Sequence, residues 1–78
     1  MPMYTEKQGQ YLAFIYAYSK INGRAPAESD LQKFFRVTPT SVHRTILELE
    51  LRQLITREPG RARSITLKIE PQCLPILR

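Results

Sequence analysis

Four polar side chains, Thr40, Ser41, His43 and Arg44, fall within five consecutive positions of the stretch RVTPTSVHRTILELE, threaded through apolar residues. The chemistry open to them is recognition rather than bond-making. Threonine and serine hydroxyls both donate and accept, an imidazole does either, and a guanidinium offers a rigid planar fork of donors suited to bidentate acceptors. His43 is the only histidine, and the sequence provides no nucleophile with an adjacent base, no acid/base pair and no phosphate-cradling glycine loop. Neither catalysis nor a cofactor is therefore expected. A single cysteine, Cys73, excludes an internal disulfide, and no Cys/His cluster has the spacing of a metal site. No small-molecule ligand is suggested either.

A second group of residues lies further along. Between Arg52 and Lys68 the cations Arg52, Arg57, Arg61, Arg63 and Lys68 face the single acid Glu58, so that +4 of the net charge of +5 sits in less than a quarter of the chain. A basic patch this local is the electrostatic footprint of a polyanion binder, for which nucleic acid is the commonest partner. A solvated basic hairpin would give the same count, and charge alone does not separate the two.

These residues must be held by a small framework. A chain of 78 residues makes one domain and buries only about 60% of its unfolded surface. The apolar run from Tyr11 to Tyr18 is far shorter than the roughly 20 residues that cross a bilayer, and Glu6 interrupts any signal-peptide pattern at the start. A soluble cytoplasmic protein without membrane contact is expected. Thr5 with Gln8 three residues later forms a capping-box signature, and Asn22-Gly23 is a left-handed stop, which predicts a first helix with Tyr11, Leu12, Ile15 and Tyr18 inward. Phe14 and Tyr16 fall outside that stripe and Gly9 interrupts the first turn, so this helix should have neighbours on more than one side. A short second helix is expected over Glu28–Phe35, burying Leu31, Phe34 and Phe35. The third, roughly residues 39–52, opens with Thr38 as its cap and Pro39 at its first position, and turns Val42, Ile46 and Leu49 to the core. The helical wheel places Thr40, Ser41 and Arg44 opposite, His43 at the edge, and Leu47 and Leu51 on the same outer side further along. Leu54–Arg57 and Ser64–Lys68 read as a hairpin whose EPGR segment has Pro and Gly at the centre of a type II turn. The tail EPQCLPILR has no period and is either extended packing or a loose end.

Three helices followed by a basic two-stranded antiparallel hairpin is the order of a winged helix-turn-helix, an α+β fold that is mainly α. The chain resembles the N-terminal DNA-binding domain of the LexA repressor family. YTEKQGQYLAFIYAYSKING is similar to the family's opening helix with its Thr-x-x-Gln start and terminal Gly. APAESDLQKFF is similar to its second helix, TPTSVHRTILELELRQLI to its recognition helix, and PGRARSITL to a wing that often reads Gly-x-x-Arg-x-Ile-x-Leu. The match runs from Tyr4 to Leu67. It departs at Phe35-Arg36, where the family often has glycine, at Gln53, where it prefers glycine after the third helix, and at Ala27, where a capping Ser or Thr would begin the second. The resemblance implies a sequence-specific binder of double-stranded DNA, repressor-like, with residues 1–69 as the binding domain and 70–78 as a tail. Thr40, Ser41, His43 and Arg44 would face bases; Thr38, Lys7, Arg52, Arg57, Arg61 and Arg63 would meet backbone or minor groove. The family's self-cleaving, dimerising protease domain has no counterpart in these residues, so no cleavage is expected of them. The Leu47/Leu51 ridge is then either covered by Leu74, Ile76 and Leu77 of the tail or available to a weak homodimer or another partner. A protein-binding winged helix is the alternative to DNA.

Overall fold

The computed structural model describes residues 3–78. Three helices, α1 (Glu6–Asn22), α2 (Glu28–Phe35) and α3 (Pro39–Leu51), are followed by two short strands, β1 (Ile55–Thr56) and β2 (Thr66–Leu67), and a 3₁₀ turn at Pro71–Cys73. The strands are antiparallel, with Ile55 opposite Leu67 and Thr56 opposite Thr66. The α+β, mainly helical expectation is borne out.

Local chemistry sets the helix limits. The Thr5 hydroxyl accepts from the Gln8 N–H at 3.1 Å while the Gln8 side chain accepts from the Thr5 N–H at 3.0 Å, which satisfies two otherwise orphaned donors. Gly23, at φ +71°, closes α1 by donating to the Ser19 carbonyl. The Thr38 hydroxyl caps α3 by accepting from the Ser41 N–H at 3.2 Å, with Pro39 behind it. The missing cap at Ala27 is met from the other side: the Asp30 carboxylate accepts the Ala27 N–H at 2.8 Å.

Tyr11, Leu12, Phe14 and Ile15 of α1 pack with Leu31, with Val42, Ile46 and Leu49 of α3, and with Leu54, Ile55 and Ile65 of the wing. Five consecutive residues of α1, Tyr11 to Ile15, are buried, so α1 does have neighbours on several sides. The Tyr11 ring stacks on Phe35 at 4.4 Å and 6°. Phe34 departs from the expected burial and is 44% exposed. Phe35 and Leu31 fill the inner side of a helix only eight residues long, and Phe34 is left lying over Phe14 at the margin, centroids 4.4 Å apart.

The tail packs rather than hangs loose. Tyr4 Oη donates to the Cys73 carbonyl at 2.5 Å, Gln10 Nε2 donates to the Ile76 carbonyl at 2.9 Å, and the Arg78 N–H donates back to Gln10 at 2.8 Å. This layer explains Gly9: a Cβ there would lie 2.7 Å from the Tyr4 ring and 3.1 Å from Pro75. The tail thus covers the start of α1, and the expectation that it shields Leu47 and Leu51 is not met. No described helix is long and apolar enough to cross a membrane.

Candidate nucleic-acid interface

Helix α3 presents the polar cluster, and its packing decides which members face out. With Val42, Ile46, Leu49 and Thr45 buried, the 3.6-residue period leaves Thr40, His43, Arg44, Leu47, Glu48 and Leu51 exposed. Ser41 corrects the wheel: it is half-buried, because it stands one turn before the buried Thr45, whose hydroxyl donates to its carbonyl at 3.0 Å. Among the described residues Arg44 has no carboxylate partner, whereas His43 Nδ1 lies 3.4 Å from Glu28 at the start of α2.

Two concavities meet at His43 and Glu28. One is a cleft of about 400 Å³ between the start of α2 and the wing, lined by residues that include His43, Arg57, Arg61 and Arg63. The other is an open groove of about 650 Å³ along the outside of α3, past Thr40, Arg44, Leu47 and Leu51. Together they form one surface running from the wing across the front of α3. Lys7 and Arg52 line neither concavity. Arg52 lies at the far end of α3, its Nη1 donating to the Met3 carbonyl at 3.3 Å.

The wing itself is closed by a serine. The Ser64 hydroxyl accepts from the Glu58 N–H at 2.9 Å and reaches the carbonyls of Glu58 and Arg61, while Gly60 at φ +78° and the Arg61 N–H bonded to the Glu58 carbonyl at 3.1 Å complete the expected turn. Arg61 is exposed and pairs with Glu58, three residues before it, at 3.0 Å. Arg57 lies flatter, 3.3 Å from Glu50 and with its side chain 17% exposed.

Arg63 is the residue whose setting the sequence did not reveal. Its Nη1 donates to Tyr18 Oη at 3.0 Å, the Asp30 carboxylate at 3.1 Å and the Ala25 carbonyl at 3.3 Å, with the guanidinium over the Tyr18 ring. It ties the wing to the end of α1 and the start of α2, whereas Arg61 stays on the wing surface with Glu58. The Asp30 carboxyl is held below the ordinary carboxylate range, first by the Ala27 N–H and then, against a contrary push from burial, by Arg63 and Tyr18. Asp30 and Tyr18 were not among the site residues expected from sequence. The available signal was Asp30 three residues after a position that lacks a capping side chain.

A three-helix unit with a two-stranded basic wing and an exposed polar front on its third helix is a winged helix. The chain is 39% identical over 72 residues to a LexA repressor of Thermosipho africanus (strain TCF52B), a stretch that covers 92% of this chain and 36% of that protein. It is 42% identical over 67 residues to a LexA repressor of Thermosipho melanesiensis, covering 86% of this chain and 34% of the relative. The resemblance to LexA repressors is thus borne out over nearly the whole chain, while the matched stretch is about a third of either relative's length. No protein-family model matches the chain.

Proposed function

We propose that this chain is a non-enzymatic winged-helix domain that binds double-stranded DNA in a sequence-dependent way and regulates transcription as a repressor in the cytoplasm. The observation that carries this reading is the single surface joining the unpaired Arg44 and exposed Thr40 of α3 to the arginines of the wing. An α-helix fits a major groove, where Arg to guanine is the commonest specific contact, and wing cations suit the phosphates beside it. Thr40, His43 and Arg44 face bases, with Ser41 at the margin. Thr38 and the exposed Arg61 meet backbone, while Arg57 and Arg63 add positive potential from shielded positions. Lys7 and Arg52 reach only flanking phosphates.

Selection of bound sequences from random duplex, followed by a salt titration on the enriched site, tests this. With about four to five phosphates neutralised, log K falls with log salt at a slope of about −4. Failure to enrich any sequence, together with a flat titration, contradicts the proposal.

A second reading, a protein-binding winged helix or weak homodimer, rests on the exposed Leu47 and Leu51. It expects salt-insensitive association. Because these leucines share the outer face of α3 with Thr40 and Arg44, a partner seated on them would compete with DNA.

A further inference from the structure

Leu47 is 42% exposed on α3, and the apolar tail that could have covered it lies on α1 instead. Its side chain lines the same groove as Thr40 and Arg44, three residues beyond Arg44. The occupant of that groove must tolerate an apolar contact within a row of hydrogen-bonding groups.

A second copy of this chain fits that demand poorly. A stable interface removes about 800 Å² from each partner, and two leucines on a narrow ridge supply only a small part of it. The DNA major groove fits better. Its floor carries one apolar feature among donors and acceptors, the 5-methyl group of thymine.

We propose that Leu47 reads a thymine methyl next to the base pair faced by Arg44; this deepens, and rests on, the DNA-binding function proposed above. The geometry of an α-helix supports the register. Three residues advance the axis by about 4.5 Å, close to one base-pair step of about 3.4 Å. The two side chains therefore address neighbouring steps along the groove. Leucine is shorter than arginine, and a methyl projecting from the base edge meets it part way. The contact removes apolar surface of both partners from water, with no polar group of Leu47 left unsatisfied. Leu51, 84% exposed and a further turn along, lies where the helix leaves the groove and takes no part.

The test uses the enriched duplex with each thymine in turn replaced by uracil, which lacks only the 5-methyl group. Binding is measured for the wild-type chain, Leu47→Ala and the control Leu51→Ala. At one thymine of the enriched site uracil should weaken the wild type about three- to fivefold, weaken Leu51→Ala equally, and leave Leu47→Ala unchanged. If sequence-specific, salt-dependent binding is intact but the enriched site holds no thymine, or no replacement separates the wild type from Leu47→Ala, the Leu47 proposal is overturned and the DNA reading stands. If the protein sediments as a dimer that Leu47→Ala dissociates and DNA does not displace, the ridge belongs to a second copy. If no sequence-dependent binding exists, both readings fall together.

Discussion

Arg63 stands at φ +56°, a backbone conformation that residues other than glycine rarely adopt, with its Nη1 shared among Tyr18 Oη, the Asp30 carboxylate and the Ala25 carbonyl. The strained residue joins the wing to the helices, so the partners of its guanidinium set how the wing sits. Asp30 is the partner with a titration signature. Its carboxyl is depressed in the folded state, so its contribution to stability is complete above the ordinary carboxylate range and is lost as the pH falls below about 4. Asp30→Asn should lower the melting temperature at neutral pH by roughly 5 °C, the equivalent of about 1 kcal/mol in a domain this small. The same variant should lose less stability than the wild type on acidification. Thermal melts of both between pH 7 and pH 3 check this; parallel curves would show that Asp30 carries no such linkage.

At the scale of elements, the ends of α2 and α3 depend on left-handed residues. Arg36 is at φ +55° and Gln53 at φ +62°, and both fall at the departures from glycine that the resemblance marked in the sequence, Phe35-Arg36 and Gln53. After α3 the Gln53 N–H bonds to the Glu50 carbonyl and the Leu54 N–H to the Leu49 carbonyl, both at 3.0 Å, which is the paired pattern of a Schellman motif. The geometry is kept at the expense of a Cβ in a crowded conformation. Gln53→Gly should therefore stabilise the fold by about 1 kcal/mol, measured as a higher denaturation midpoint with an unchanged slope; destabilisation would mean that the glutamine side chain contributes more than its backbone loses. Helix limits of this kind were legible in the sequence because capping is local: Thr5 with Gln8, Thr38 with Pro39, and Asn22 with Gly23 each act within four residues. The wing turn was legible for the same reason. The inward turn of Arg63 was not, since Asp30 is 33 residues away in the chain, nor was the landing of the tail on α1. Gly9, an interruption by pattern, is explained only by Tyr4 and Pro75 brought from opposite ends of the sequence.

For the whole molecule, the arrangement separates structure from recognition across α3. Its inner side, Val42, Thr45, Ile46 and Leu49, completes the core with α1 and the wing. Its outer side carries Thr40, Arg44 and Leu47 with no covering segment among the described residues. The wing sits at the end of that outer side because Arg63 fastens it to Tyr18, Ala25 and Asp30, while Ser64 closes its loop from within, which turns a local excess of positive charge into a directed one. The division of labour between the two surfaces is tested most directly by the affinity of Arg44→Ala for the enriched duplex and for a scrambled duplex, at one salt concentration, with Arg63→Ala alongside. Arg44→Ala should lose about 1–3 kcal/mol on the enriched site and far less on the scrambled one, whereas Arg63→Ala should weaken both alike. Equal losses on the two duplexes for Arg44→Ala would contradict the placement of this face of α3 against the bases.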